Sequence, residues 1–168
     1  LIQAWAPQKS YRRKDDDQPP SGGGRNREAN FHGEKRSNAT HESKTDGDAR
    51  MARKGPGKEA RLSYMGHTVM ENRHGLIVKA AASEATGTAE RDIALDLLTT
   101  LPGRKKRTVG ADKNYDTADF VKRCRGLKVT PHVARNDNRP GGSAIDGRTS
   151  RHDGYHVSQR NRKRVEEP

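Results

Sequence analysis

Cysteine occurs once in the 168 residues, at Cys124, so no disulfide framework and no multi-cysteine zinc site is possible. Large aromatics are scarce, with one Trp and two Phe. No apolar run approaches the length of a membrane span, and no signal peptide is expected. Leu, Ile, Val and Phe together number only 22, a level typical of chains that cannot bury a core along their whole length.

The apolar residues that are present are concentrated. Sixteen of the 22 fall within residues 57–135, which predicts one modest core in the middle and loosely ordered flanks. Positive charge is in excess, 34 Lys and Arg against 22 Asp and Glu, a net +12. Such an excess suits a polyanion, most commonly a phosphate backbone; a merely soluble basic protein is the alternative.

Along the chain, residues 1–6 read as a strand tail or a helix start, with Trp5 as a core or edge anchor. Residues 7–58 are rich in Gly, Pro, Ser, Asn and charge and read as irregular. Asp15-Asp16-Asp17 is a solvated loop before it is a metal site, and Arg25, Arg27, Lys35, Arg36 and Lys44 make the segment a plausible loop against phosphates. Gly55-Pro56-Gly57-Lys58 lacks the spacing of a phosphate loop, and Asn38-Ala39-Thr40 matches a glycosylation acceptor by chance. Residues 59–70 and 76–81 form a hairpin about the turn 71–75, carrying Leu62, Tyr64 and Val69; His67 and His74 read as a partly buried and a turn histidine before they read as contacts to DNA or metal. Thr88 opens a helix whose Ile93, Ala94, Leu97, Leu98 and Leu101 line one face, and Pro102-Gly103 ends it. Arg104 to Arg107 is a basic turn.

The chain is organised around Lys106–Asp116. Thr108, Val109 and Ala111 make a short buried strand, and Asp112 sits where it ends, either as a metal- or substrate-holding carboxylate at a strand edge or as a solvated residue. Asp116 reads as the cap of the next helix, lined by Phe120, Val121, Cys124 and Leu127 and ended by Gly126. Cys124 is a small core residue rather than a nucleophile. Residues 128–133 form an edge strand, because Pro131 lacks an N–H. After a polar stretch, residues 155–167 read as a basic helix on which Arg162 and Glu166, four apart, share a face; spacing alone allows a solvated charge pair. His152 and His156 have no evident third ligand for zinc.

Gly110-Ala-Asp-Lys-Asn-Tyr-Asp-Thr117 resembles the G-A-D-K-G-Y-D-[ST] segment of bacterial insertion-sequence transposases of the DDE type, in group five, whose catalytic domain is like that of group four. Asn114 replaces the usual Gly, and Asn is the next most tolerant residue at positive φ. Leu1-Ile-Gln-Ala-Trp-Ala6 is similar to the family's L-I-x-A-W-A, which follows its first catalytic Asp. Residues 31–38 and 45–50 are similar to it as well. Arg160-Asn-Arg-Lys-Arg-Val-Glu-Glu167 resembles R-x-R-K-R-[IV]-E-E, part of a Tyr–Arg–Glu–Lys signature. The signature Tyr would fall at Gln159 and is absent, and its Lys would lie past Pro168.

This resemblance implies a ribonuclease-H-like α/β fold: a mixed sheet with flanking helices, incomplete at its N-terminal strand, with long irregular basic loops. Residues 1–168 would be a partial catalytic domain, with an ordered core about 59–133, a basic insertion about 7–58 and a basic helix about 155–167. Asp112 would be the second catalytic carboxylate and Glu166 the third, with Glu167 as runner-up, both holding Mg²⁺ or Mn²⁺. Arg162, Lys163, Arg160 and Lys113 would contact DNA. The partners implied are double-stranded DNA, as terminal inverted repeats and target, and no membrane; a homodimer on DNA is compatible. The setting implied is the bacterial cytoplasm, with the nucleoid when bound. The expectation is a fragment that begins just past its first catalytic Asp and is inactive alone; a decayed remnant that only binds DNA is the alternative.

Overall fold

A computed structural model of the chain describes residues 1–15, 36–103 and 106–166, with the backbone alone at Arg164 and Glu166. Asp16, Asp17, Pro19-Pro20, Gly22 to Gly24, Arg25, Arg27, residues 31–35, Arg104, Lys105 and Glu167 lie outside the described residues. Strands and helices mix in an α/β arrangement and gather into two compact units, Leu1–Gly66 with Ala82–Ala89, and His67–Ala81 with Glu90–Pro168.

The first unit holds β1 (Ile2–Gln3), β2 (Tyr11–Arg13), β3 (His41–Ser43), β4 (Arg50–Arg53) and parts of β5 (Ala60–Met70) and β6 (Ile77–Glu84). β5 pairs with β6 and, antiparallel, with β1 (Ile2 opposite Tyr64) and β4 (Met51 opposite Leu62); β2 pairs antiparallel with β3. Within 7–58, read from composition as irregular, the described residues thus carry three short strands. Small and polar side chains serve in place of the missing large apolar ones. Tyr11, Ala4, Ala49 and Leu62 are buried together. Tyr11 stacks on His41 at 5.5 Å. The Asn38 side chain acts as a surrogate strand: Oδ1 accepts from Met51 N (2.9 Å) and Tyr11 Oη (3.0 Å), and Nδ2 donates to Met51 O (3.1 Å).

Trp5 is not an anchor; it is 99% exposed. Ala4 donates its N–H to Leu62 O (2.9 Å) and is buried, and the chain bends at Trp5, past the end of β1, leaving that side chain in solvent.

The second unit carries α1 (Ala89–Thr99) from Glu90 on, β7 (Arg107–Ala111), α2 (Ala118–Gly126), β8 (Val129–Val133), α3 (Gly147–Ser150) and α4 (Asp153–Asn161). β7 and β8 are parallel, with Val109 opposite Pro131 and Ala111 opposite Val133. The core is Leu95, Leu98, Phe120, Val121, Cys124, Val129, Val133, Ile145 and Tyr155. Burial pushes the Cys124 thiol up to about 12, as suits an inert core residue. On α1 the buried stripe runs through Leu95 and Leu98, flanked by Ala94 and Leu101; Ile93 and Leu97 are only half-buried, one step around the helix.

Three helix expectations need correction. Leu127 is 38% exposed, because it is the C-cap of α2 rather than part of its apolar face. Gly126 is the last helical residue, and the left-handed position after the cap falls to Lys128 (φ 59°). The basic helix begins at Asp153, and its α-geometry stops at Asn161; Arg162–Glu166 is a 3₁₀ turn. Backbone rotation there is about 120° per residue, so positions four apart are offset by about a third of a turn, more than in an α-helix. Among the described residues no helix is long and apolar enough to cross a membrane.

Candidate active site

β7 delivers its last residues to a single 3₁₀ turn, Lys113–Tyr115. Asp112 caps that turn: one carboxylate oxygen accepts from Asn114 N (2.8 Å), which orients the side chain at the strand end, and the other makes no hydrogen bond among the described residues. Asp112 is half-buried, and one of its oxygens is uncommitted among the described residues. Asn114 does not use the left-handed region; the only non-glycine there among the described residues is Lys128, so the turn needs no glycine at this position. Lys113 is exposed on the turn.

Tyr115 and Asp116 turn inward from the same loop. Tyr115 meets Phe120 edge-on at 5.2 Å, and burial, helped by Glu90 and Asp112, pushes its phenol up to about 12. Asp116 is not the helix cap. Thr117 caps α2, accepting from Phe120 N (3.2 Å), while Asp116 is 1% exposed and accepts from Asn136 N (2.7 Å) and Ala144 N (2.9 Å). Its backbone carbonyl accepts from Arg139 Nη1 (2.6 Å). The carboxylate thereby anchors residues 136–144 beside the Asp112 turn.

α4 crosses β7 and β8 and is fastened at three points. Tyr155 Oη donates to Val133 O (2.9 Å), Ser158 Oγ meets His132 Nδ1 (2.7 Å), and Gln159 Nε2 donates to His132 O (2.6 Å). The end of α4 then passes close over β7: a Cβ on Gly110 would lie 3.4 Å from Arg162 Cβ and 3.6 Å from Ser158 O. Glycine thus permits Arg162 to sit above the residue two before Asp112. Arg162 is half-buried, and its Nε is buried without a hydrogen-bond partner among the described residues. Arg160 and Lys163 are exposed. The backbone of Glu166 closes the 3₁₀ turn begun at Arg162, and Glu167 is outside the described residues. The structure therefore brings Arg162 to the strand that ends in Asp112. Among the described residues no group of three or more His, Cys, Asp and Glu is arranged to hold a metal.

Sequence reasoning passed over His132, Ser158, Gln159 and Tyr155 as site-forming residues, since their partners lie 22 to 27 positions away. His132 is buried, and desolvation first of all lowers its pKa below 6.5, against a hydrogen bond to Gly154 that raises it. The unfolded chain then binds the proton first, so this contribution to stability is full above pH about 6.5 and declines as pH falls below it. Thermal unfolding between pH 5 and 8 is expected to show that decline, and to flatten in His132→Gln; an unchanged profile in the variant would count against the buried neutral histidine.

Comparison with protein families returns a match to the Transposase DDE domain over residues 30–167. No curated protein and no solved structure matches the chain. The matched span covers β3 to the end of the 3₁₀ turn and includes both the Asp112 turn and α4. The chain belongs to the Transposase DDE domain family.

Proposed function

We propose that this chain is catalytic-domain sequence of an insertion-sequence transposase of group five, acting in metal-dependent phosphodiester cleavage and strand transfer at the element's ends. Its architecture is then a ribonuclease-H-like sheet with flanking helices. The observation that carries this reading is the close passage of Arg162 over Gly110, which sets the start of the Arg–Glu turn against the strand ending in Asp112. Asp112 and Glu166 are assigned as catalytic, metal-holding carboxylates, and Arg162, Arg160, Lys163 and Lys113 as contacts to duplex DNA.

The donor chemistry fits: Asp112 offers a hard oxygen, oriented by Asn114 N and otherwise uncommitted, and Mg²⁺ or Mn²⁺ prefers such ligands. Bound there, a divalent cation would neutralise charge at the phosphate and favour both the attacking and the leaving oxygen. The protein's own part is to orient that carboxylate, through the 3₁₀ turn, and to hold the DNA backbone with guanidinium and ammonium groups. A pair of cations needs about three carboxylates from separate elements. Two assigned carboxylates fall short of that, so the 168 residues alone are not expected to sustain strand transfer.

Mn²⁺ titration in the presence of a terminal inverted-repeat duplex tests the assignment. Asp112→Asn is expected to weaken Mn²⁺ binding at least about tenfold, with DNA affinity little changed. DNA binding itself is expected to fall with salt at a log–log slope near about −5, as for roughly six phosphates. Mn²⁺ binding indifferent to both Asp112→Asn and Glu166→Gln would remove the catalytic assignment and leave a DNA-binding remnant; robust Mg²⁺-dependent strand transfer by the isolated chain would show the carboxylate set to be wrong.

A further inference from the structure

A second concentration of positive charge lies around Asp146, two residues past the segment that Asp116 anchors. Asp146 caps α3 by accepting from Arg148 N (3.1 Å), and its other oxygen takes Arg148 Nη2 at 2.7 Å. Arg125, from the last turn of α2, reaches the same carboxylate at 3.3 Å. The Arg148 hydrogen bond, more than the nearby charges, holds the Asp146 carboxyl below the usual range, so it stays ionised. Arg151 lies across the Gly147 backbone, where a Cβ would come within 3.0 Å of its Nε, and it has no acidic partner among the described residues. Asp146, Gly147, Arg148, Arg151 and His152 line a shallow, open depression of about 420 Å³.

Three guanidiniums against one carboxylate leave two positive charges in excess before His152 is counted. Arginine forks match phosphate oxygens in pairs, so guanidiniums in excess of carboxylate suit an anion. The Arg148 side chain is 81% exposed, but its Nε and Nη2 both donate to Asp146 Oδ2 (3.0 and 2.7 Å), so an incoming anion meets Nη1 or displaces Asp146. Asp146 holds two of the forks in place and competes with any incoming anion for them.

We propose that the Arg125–Arg148–Arg151 cluster is a second phosphate site, which takes a backbone phosphate of duplex DNA outside the Asp112 turn, with Asp146 setting its strength. The proposal rests on the reading that the chain acts on DNA. Arg125 lies in the last turn of α2, whereas Asp112 precedes the start of that helix.

The test is binding of a labelled duplex over salt from about 50 to 200 mM. Arg148→Gln combined with Arg151→Gln is expected to flatten the log–log slope by about 0.9 for each phosphate released and to cut affinity severalfold. Asp146→Asn, which keeps an oxygen for the α3 cap, is expected to tighten binding severalfold. Wild-type slope and affinity in the double variant would overturn the proposal while leaving DNA binding intact. A wild-type protein with no salt dependence would remove the DNA reading and the proposal with it. Should the double variant not fold by circular dichroism, Asp146→Asn decides alone: unchanged affinity overturns the proposal.

Discussion

Asp116→Ala is expected to destabilise the protein by about 2–4 kcal/mol, from two half-buried backbone N–H groups that lose their acceptor, toward the lower end of about 1–3 kcal/mol each, and from the loss of a fully buried side chain's hydrogen bonds. Asp116 is 1% exposed, and its oxygens accept from Asn136 N and Ala144 N at 2.7 and 2.9 Å. No other group is shown accepting from those two amides, so the loss falls on residues 136–144 and on the turn that carries Asp112. Asp116→Asn keeps one acceptor and sets an amide N–H against the other donor, so it relieves only part of the cost. Urea unfolding reads the total, and hydrogen exchange reads the place. The Asn136 and Ala144 amides should lose protection before those of β8, and unchanged protection at both would show that Asp116 is not the anchor.

Phe120→Ala is expected to cost about 3–5 kcal/mol, the usual range for removing a fully buried ring. Phe120 is 1% exposed and meets Tyr115 edge-on at 5.2 Å. Its loss opens space beside the Tyr115 phenol, whose pKa stands at about 12 chiefly through burial. With water admitted, that value should fall toward the ordinary 10. Alkaline titration by ultraviolet absorbance follows the phenol, while a thermal melt follows stability. A folded variant whose Tyr115 still titrates near its wild-type value would mean that Glu90 and Asp112, not burial, hold the phenol up. The effect also concerns function, because Tyr115 closes the 3₁₀ turn that Asp112 caps.

Much of this was readable from local pattern. The strand to Asp112, the hairpin of β5 and β6, the helices α1 and α2 and the edge strand with Pro131 follow from periodicity and turn residues acting over a few positions. The family was readable too, because Gly110–Thr117 and Arg160–Glu167 are runs of adjacent residues. The exposure of Trp5 was misread because only two residues of strand precede it, too few for alternation to assign a face.

The sequence by itself determined the type of most elements, the excess of positive charge and the membership of the DDE transposase family, since each depends on composition or on neighbours along the chain. Tertiary structure alone decided that Asp116 is a buried anchor and not a cap, because its partners lie 20 and 28 positions away. It also decided that α4 stops at Asn161 and that Arg162 rests over Gly110, where a missing Cβ lets helix and strand approach. Contacts of that range are set by the geometry of packing, and no residue announces its distant partner.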